Sequence, residues 1–358
     1  IVDLYSSMTN FLPNNSNIFI YNSGFNLFDE QKINLMFSQI PRIYPIKYEF
    51  NYSNFNENLK KKFNFEKFIK VSNKHDNQYF VEIFNLIVRI LHKSLPIFII
   101  EDFNRLIEFS GKLNFPKKPK AICTSYAFES AEPFKFYLGI QKFLNPQMKY
   151  FVYQHGGSYI TRLDNSFYNE TNTCDYFITM GDKTDETKNN NIKFVNFRLR
   201  NKRYFKAKKL EKLLILLRSS GYNAMPYDVY SERVNQLDLT VDFLKKFSDD
   251  LKKNTIIRAH YSSTNKMDHI IEDLNGFKID YSEQNYFDAV NISKLLLFNY
   301  DSTGMLEMLA LNKPILCMWE KGNQHLNNFV VDDYELLREA KILFDDNDKL
   351  YEHLNKIW

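Results

Sequence analysis

The sequence predicts an α/β fold built from two domains, each with a parallel sheet flanked by helices. Short apolar runs bounded by polar residues recur along the chain, and segments with apolar residues at three- and four-residue spacings lie between them. This alternation is typical of parallel strands joined by helical crossovers. A basic, strand-poor segment at 204–210 separates two such series, so we expect an N-terminal domain of residues 1–205 and a C-terminal domain of residues 206–358.

The apolar runs place the strands. In the first series the strand candidates are 17–21 (NIFIY), 96–100 (PIFII), 121–124 (AICT), 150–153 (YFVY) and 175–179 (DYFIT). In the second they are 213–217 (LLILL), 255–258 (TIIR), 277–281 (FKIDY), 295–298 (LLLF), 314–318 (PILCM) and 341–344 (KILF). Helices are predicted at 28–40 and 129–145, whereas residues 50–70, dense in Asn, Lys and Phe, show no clear pattern.

Composition excludes several classes of protein. The 358 residues are 44% hydrophobic, which is enough for the cores of two domains. Only 10 residues are glycine, and neither a P-loop motif nor the G-x-G-x-x-G fingerprint occurs, which argues against a P-loop NTPase and a dinucleotide-binding enzyme. The net charge of +4 is small for a nucleic-acid-binding protein, so we expect no nucleic-acid partner.

Cysteine spacing and apolar run lengths bear on location. Cys123, Cys174 and Cys317 show no paired spacing and lie in apolar stretches, which favours free thiols in a reducing compartment. No run of 18 apolar residues occurs and the first residues do not resemble a signal peptide, so we expect a cytoplasmic protein.

The basic run at 197–212 is interpreted as a solvated linker, or as a contact with an anionic membrane or substrate.

A histidine and two glycines follow the strand candidate that ends at Tyr153. Ligands of open parallel sheets bind beyond the carboxyl ends of the strands, so His155 is a candidate general base. Gly156 and Gly157 allow the backbone to approach an anion or a sugar closely. Downstream acids, among them Glu170, could orient this histidine or act themselves. The alternative is a glycine turn with a structural histidine.

Arg258 and His260 lie at the end of the strand candidate TIIR in the second series. Arginine binds phosphate oxygens through its planar fork, and histidine can donate to them, so these two residues are candidate phosphate ligands. The alternative is an exposed arginine followed by a histidine in a turn.

The third motif follows the strand candidate LLLF and opens a helix. Asp301 or Ser302 can cap this helix, and its N-terminal N–H groups form a site for a phosphate, to which Ser302 and Thr303 add hydroxyl donors beside Gly304. Glu307, one turn further, is placed to accept from ribose hydroxyls. The alternative is a capped amphipathic helix whose glutamate faces solvent.

Together these motifs carry a resemblance to a known family. The segments YQHGG, CDYFITMG, IIRAH and NYDSTGMLEMLALNKP resemble the transferases encoded in bacterial surface-polysaccharide loci. More distantly they resemble the CDP-glycerol glycerophosphotransferases of teichoic acid synthesis. The matching segments extend from about residue 149 to the C-terminus.

The resemblance implies a GT-B fold, with two Rossmann-like domains whose parallel sheets face an interdomain cleft. The second domain would bind the nucleotide donor and the first the acceptor, and the last helix can pack back on the first domain. His155 with Gly156 matches the family's proposed base, and Arg258 with His260 matches its phosphate contacts. The Tyr300 to Thr303 block departs in order from the family's Asp-Tyr-Ser-Ser block.

The function expected from this resemblance is that of a metal-independent glycosyltransferase without a cofactor. It would move a sugar, with a CMP-linked ulosonic acid as one candidate, from a CMP- or CDP-type donor to a glycan or lipid-linked glycan of a capsule or lipopolysaccharide. Alternatives are a CDP-polyol phosphotransferase of teichoic-acid type and a non-catalytic protein that binds a glycan or nucleotide. A peripheral position at the inner face of the membrane would follow from the basic run.

Overall fold

The structure, a computed structural model, describes residues 9, 12–44, 78–94, 102–163, 168–181, 190–200, 211–217, 233–260, 272–283, 285–319 and 323–358. The chain divides into two compact units. The first comprises Ile1–Tyr153 with Cys174–Tyr176, and the second comprises Gln154–Thr173 with Phe177–Trp358.

Parallel strands organise the first unit. They are β1 (Ile18–Ile20), β2 (Ala121–Thr124) and β3 (Lys149–Tyr153), and β2 pairs in parallel with both of the others. The described helices of this unit are α1 (Leu27–Met36), α2 (Gln78–Ser94), α3 (Phe103–Lys112), α4 (Ala127–Ser130) and α5 (Glu132–Leu144). Helical segments between parallel strands are the crossover connections that such strands require.

Aromatic side chains form the core of the first unit. The ring of Phe19, on β1, lies 4.7 Å from that of Phe115, 5.5 Å from that of Tyr137 and 6.4 Å from that of Phe134, measured between centroids. Their mutual orientations are mostly tilted or edge-to-face, which aromatic pairs prefer. Part of the 16% aromatic content is therefore core.

The second unit carries the other elements. The strands are β4 (Tyr176–Met180), β5 (Asn191–Phe194), β6 (Lys212–Leu216), β7 (Thr255–Arg258), β8 (Lys278–Asp280), β9 (Ser293–Phe298), β10 (Ile315–Met318) and β11 (Leu343–Phe344), Tyr176 alone belonging to the first unit. The helices are α6 (Ser158–Thr161), α7 (Tyr168–Thr173), α8 (Arg233–Lys245), α9 (Asp249–Lys253), α10 (Tyr286–Asn291), α11 (Thr303–Ala310), α12 (Val331–Glu339) and α13 (Asn347–Ile357). Strands β4 and β5 pair in parallel.

Strand order identifies where a ligand of the second unit would bind. The six-stranded sheet runs β11-β10-β9-β6-β7-β8, and every neighbouring pair is parallel. This is the doubly wound order, in which the connections turn to opposite sides at the β6/β9 pair. Ligands of such sheets bind beyond the carboxyl ends of the strands at this point, which is where residues 299–302 follow β9.

Both faces of this sheet are buried by helices. Leu213 of β6 belongs to a core cluster with Leu350 of α13, while the next residue, Leu214, belongs to another with Met305 and Met308 of α11. Successive strand residues point to opposite faces, which explains the uninterrupted apolar run. Each fully buried side chain of this size contributes about 1.5–3 kcal/mol, so α11 is firmly seated on the sheet.

The predicted α/β class with parallel sheets is confirmed, with differences in detail. Strand β5 was not predicted, because its side chains are mostly exposed and lack an apolar run. The helix predicted at 129–145 is interrupted at Ala131, whose backbone is extended, and restarts with Pro133 in its first turn. The strand candidate at 96–100 lies outside the described residues. The boundary predicted at 205/206 also lies there and stays a prediction.

The helices are too short or too polar to span a membrane, within the part of the chain that the structure describes. Within the described ranges, no helix combines the length and apolar character needed to cross a bilayer.

Candidate functional site

Gln154 fixes the backbone of the loop that carries His155. Its buried side chain donates from Nε2 to the carbonyl oxygen of Gly156 at 2.7 Å, and its Oε1 accepts from the backbone N–H of Met180 at 2.9 Å. Both ends of the amide are thus engaged, as burial requires. The histidine loop is held to the carboxyl end of β4 by this one side chain.

His155 is the first of three side chains in a hydrogen-bonded row. Nδ1 of the half-buried His155 lies 2.8 Å from the hydroxyl oxygen of Tyr159, and that hydroxyl donates to Oε2 of Glu170. Tyr159 is 6% exposed and Glu170 2% exposed. The two candidate catalytic residues of the sequence are therefore connected, through a tyrosine that the motif analysis missed.

Gly157 touches the start of α11. Its N–H donates to Oγ1 of Thr303 at 2.9 Å, and a Cβ built on Gly157 would lie 2.5 Å from Cδ1 of Leu306. With the Leu306 side chain in this position, only glycine fits here. The glycine therefore joins the histidine loop to the helix whose N-terminus was predicted to bind phosphate.

Asp301 and Ser302, in the turn before α11, make different hydrogen bonds. Ser302 is the N-cap, since its hydroxyl accepts from the N–H of Met305 at 3.1 Å. Asp301 accepts from the hydroxyl of Tyr334 at 2.9 Å, and its other oxygen lies 3.1 Å from Nε2 of His325. Burial and the charge of Asp301 raise the pKa of Tyr334. Of the two residues that could cap the helix, Ser302 is therefore the cap and Asp301 is not.

The segment that carries His325 also packs against α6. The N–H of Leu163 donates to the carbonyl oxygen of His325 at 2.8 Å. Nδ2 of Asn327 donates to the carbonyl oxygens of Ile160 and Arg162, at 2.6 and 2.7 Å. Through this segment the turn before α11 is connected to the helix that carries Tyr159.

Glu307 is a buried carboxylate on the same helix. It is 7% exposed, and its Oε1 accepts no hydrogen bond from the described residues. Nε of Arg198 lies 3.6 Å from that oxygen, while Nη1 of Arg198 donates to the carbonyl oxygen of His155 at 3.3 Å. Arg198 belongs to the basic run of the sequence, and here it lies between the histidine loop and α11 rather than in solvent alone.

Tyr286 lies beside Gly304 and close to the charge of Glu307. A Cβ built on Gly304 would be 3.4 Å from the tyrosine hydroxyl, which is about van der Waals contact. Burial first, and then the negative charge of Glu307, raise the pKa of Tyr286. Its buried hydroxyl has no hydrogen-bond partner among the described residues.

A cavity of about 420 Å³ runs along α11. Its walls are mainly apolar, with a few polar groups, which is typical of sites for small molecules. The lining residues are Gln154, Gly157, Ile160, Thr161, Met180, Gly181, Asn196, Leu199, Thr303, Leu306, Glu307, Leu309, Ala310, Val330, Asp333, Tyr334 and Leu337. Gly157 from the histidine motif therefore shares one cavity with Thr303 and Glu307 from the motif that opens α11.

Arg258 is the last residue of β7, and His260 follows it by two positions. Nη1 of Arg258 donates to Oδ2 of Asp280 at the end of β8, and both side chains are at least nine-tenths buried. Burial lowers the pKa of the half-buried His260, which favours the neutral imidazole. Four hydroxyl-bearing residues follow His260 in the sequence, at 261–264 (YSST), and they lie outside the described residues. Neither Arg258 nor His260 lines the cavity.

The described side chains form no metal site. In the parts of the chain that the structure describes, no group of three or more His, Cys, Asp or Glu side chains could hold a metal ion. The sequence motifs did not include Tyr159 or His325, and they placed Arg198 only in the basic run. Tyr159 follows His155 by four positions, and this short separation was the available signal.

Comparison with known proteins gives a family for the chain. The structure of a variant of the wall teichoic acid polymerase TagF is similar to 70% of this chain and 77% of that chain, with 13% sequence identity and a TM-score of 0.33. No curated protein matches. The profile described as "LIC12162 family transferase" matches residues 2–358. The chain therefore belongs to the LIC12162 family of transferases.

Proposed function

We propose that this transferase is a GT-B glycosyltransferase that moves a sugar from a nucleotide donor to a hydroxyl group of a bacterial surface glycan. The contact between Gly157 and Thr303 supports this most strongly, because it brings His155 to the N-terminus of α11. A base for the acceptor and an anion site for the leaving phosphate are what sugar transfer requires. A CMP-linked ulosonic acid is one candidate donor, since its leaving group carries a single phosphate.

His155 is the proposed general base. Its Nε2 would take the proton of the acceptor hydroxyl as that oxygen attacks the anomeric carbon of the donor sugar. The bond between that carbon and the phosphate oxygen breaks, and the nucleotide leaves with the bonding electrons. The carboxylate of Glu170, reached through Tyr159, would stabilise the imidazolium that forms.

The donor is proposed to bind around α11. Its N-terminal N–H groups and the Thr303 hydroxyl would hold the phosphate, with Arg258 and His260 contributing charge and a further donor. Glu307 would accept from ribose hydroxyls, which gives a role to a buried carboxylate oxygen that no described residue hydrogen-bonds. In this proposal protein groups balance the charge of the leaving phosphate, so no metal or cofactor takes part.

The proposal places the enzyme in the cytoplasm, at the inner face of the membrane. A cytoplasmic enzyme would meet lipid-linked acceptors at the inner face of the membrane, and the basic run at 197–212 would contact anionic lipid there. Residues 201–210 of this run lie outside the described residues. Flotation of the protein with anionic vesicles, but not with neutral ones, is the expected result.

Ligand screening identifies the donor. Thermal unfolding would be measured with CMP-, CDP-, UDP-, GDP- and dTDP-linked sugars, because a bound ligand raises the unfolding temperature. The donor that does so would then be tested for transfer to a glycan acceptor. Phosphorus in the product would instead identify a polyol-phosphate transferase, and binding without turnover would identify a non-catalytic binding protein.

Substitution of the base tests the mechanism. With the identified donor, His155→Gln should lower kcat by about 10²–10⁴-fold while donor affinity is retained, because only proton transfer is lost. His353→Gln, on α13, is the matched control and should keep normal turnover. Near-normal turnover by His155→Gln would exclude His155 as the base.

A further inference from the structure

We infer that Tyr159 is a positioning residue that holds the proton of His155 on Nδ1 and so keeps Nε2 unprotonated. The inference extends the proposed function, on which it rests for the step in which Nε2 receives the acceptor proton. Tyr159 acts through His155 and does not itself contact the reacting atoms.

The direction of each hydrogen bond in the row follows from the number of protons. A tyrosine hydroxyl has one proton, and an ionised carboxylate can only accept. Since the Tyr159 hydroxyl donates its proton to Glu170, it can only accept from Nδ1 of His155, 2.8 Å away. A neutral imidazole carries one N–H, so a proton on Nδ1 leaves the lone pair on Nε2.

The row is held rigidly. The ring of Tyr159 packs 5.3 Å from that of Phe177, measured between centroids, and meets the ring of His155 edge-to-face at 5.0 Å. The next residues of α6 are held by Asn327 through the carbonyl oxygen of Ile160. The hydroxyl is therefore fixed where it favours one tautomer of His155.

The tautomer decides whether His155 can act as a base. With the proton on Nε2, the lone pair would lie on Nδ1, which faces Tyr159 and is closed to substrate. With the proton on Nδ1, the lone pair of Nε2 can accept a proton. A buried carboxylate at the far end of the row also favours the positive charge that forms after proton transfer.

Nitrogen NMR of the protein labelled with ¹⁵N in its histidines tests this without any donor. Two-bond ¹⁵N–¹H correlation spectra at about pH 8.5, above the usual histidine titration range, report which ring nitrogen is protonated. The signals of His155 are assigned by their loss in His155→Gln. The wild type should show Nδ1 protonated, whereas Tyr159→Phe should shift the pattern towards Nε2 protonated.

A matched tyrosine provides the control. Tyr137→Phe removes another buried hydroxyl, which donates to the carbonyl oxygen of Pro116 at 2.7 Å in the first unit, and should leave the His155 signals unchanged. A wild-type spectrum with Nε2 protonated, or a Tyr159→Phe spectrum like the wild type, would overturn the inference. If Tyr159→Phe does not fold, the wild-type spectrum alone decides.

Kinetics separate this inference from the proposed function. Tyr159→Phe should lower kcat about 10–100-fold with little change in KM, as expected when the orienting partner of a histidine is lost. If the protein transfers sugar while His155 carries its proton on Nε2, only the role of Tyr159 is overturned. If His155 carries its proton on Nδ1 but the protein transfers no sugar, only the proposed reaction is overturned.

Discussion

Gly157 donates its backbone N–H to the hydroxyl oxygen of Thr303 at 2.9 Å, although the two residues are 146 positions apart in the chain. The bond joins the loop that carries the candidate base to the helix that is proposed to hold the donor phosphate. Both partners were singled out from separate motifs, but nothing in either motif indicates that they touch. Substitutions at this contact therefore test how the site is held together.

Gly157→Ala should destabilise the protein. The new Cβ would lie 2.5 Å from Cδ1 of Leu306, so that side chain must shift from its position in the cavity wall. We expect the free energy of unfolding to fall by about 1–2 kcal/mol, measured by urea denaturation. In a Leu306→Ala background the cost should be smaller, since the obstructing methyl group is gone.

Gly139→Ala is the control for this experiment. Gly139 lies within α5, and a Cβ there would meet no atom of the described residues within 4 Å, so the substitution should be neutral or slightly stabilising. Equal losses at the two positions would contradict a specific contact between Gly157 and Leu306.

The stability of the protein should be more sensitive to loss of the Thr303 oxygen than to loss of its methyl group. Thr303→Val leaves the buried N–H of Gly157 without its acceptor, and we expect a loss of about 1–3 kcal/mol. Thr303→Ser keeps the oxygen and should lose less. Urea denaturation of both variants decides, and equal losses would show that the hydrogen bond does not contribute.

Lys313 should make stability depend on pH. Burial lowers its pKa to about 8 in the folded state, while Nζ donates to the carbonyl oxygens of Val290 and Ser293. Between pH 8 and about 10.4, the ordinary lysine value, the unfolded chain holds this proton more often than the folded protein. The free energy of unfolding should therefore rise with pH across this window, by up to about 3 kcal/mol.

Lys313→Met isolates that contribution. It removes the titrating group, so the wild type should gain stability relative to the variant as pH increases from 8 to 10, measured by urea denaturation at each pH. Parallel curves for the two proteins would mean that the pKa of Lys313 is not lowered on folding.

Arg258 should matter for stability as well as for donor binding. Arg258→Ala leaves the carboxylate of Asp280, which is 6% exposed, without its charged partner, at a cost of about 3–5 kcal/mol. Replacing both residues, as Arg258→Met with Asp280→Leu, should restore most of the stability.

The double variant also tests the donor site. If Arg258 binds donor phosphate, this variant should remain folded and yet lose the rise in unfolding temperature that the donor produces. Retention of the full rise would remove Arg258 from the donor site.

The sequence by itself determined the local structure of this protein. Uninterrupted apolar runs predicted the buried strands β6, β7 and β9, because both faces of a parallel sheet are covered. The polar turn before α11 predicted a capped helix, and Ser302 is the cap. Buried strands and helix caps depend on residues that are close together in the sequence, so a local sequence pattern can predict them.

Only the tertiary structure decided which side chains meet. Glu170 is reached by His155 through Tyr159, and Asp301 accepts from Tyr334 instead of capping the helix. Such contacts form between residues that are distant in the chain or that lie in different elements. They arise from the packing of whole elements, and the periodicity of a sequence carries no record of that packing.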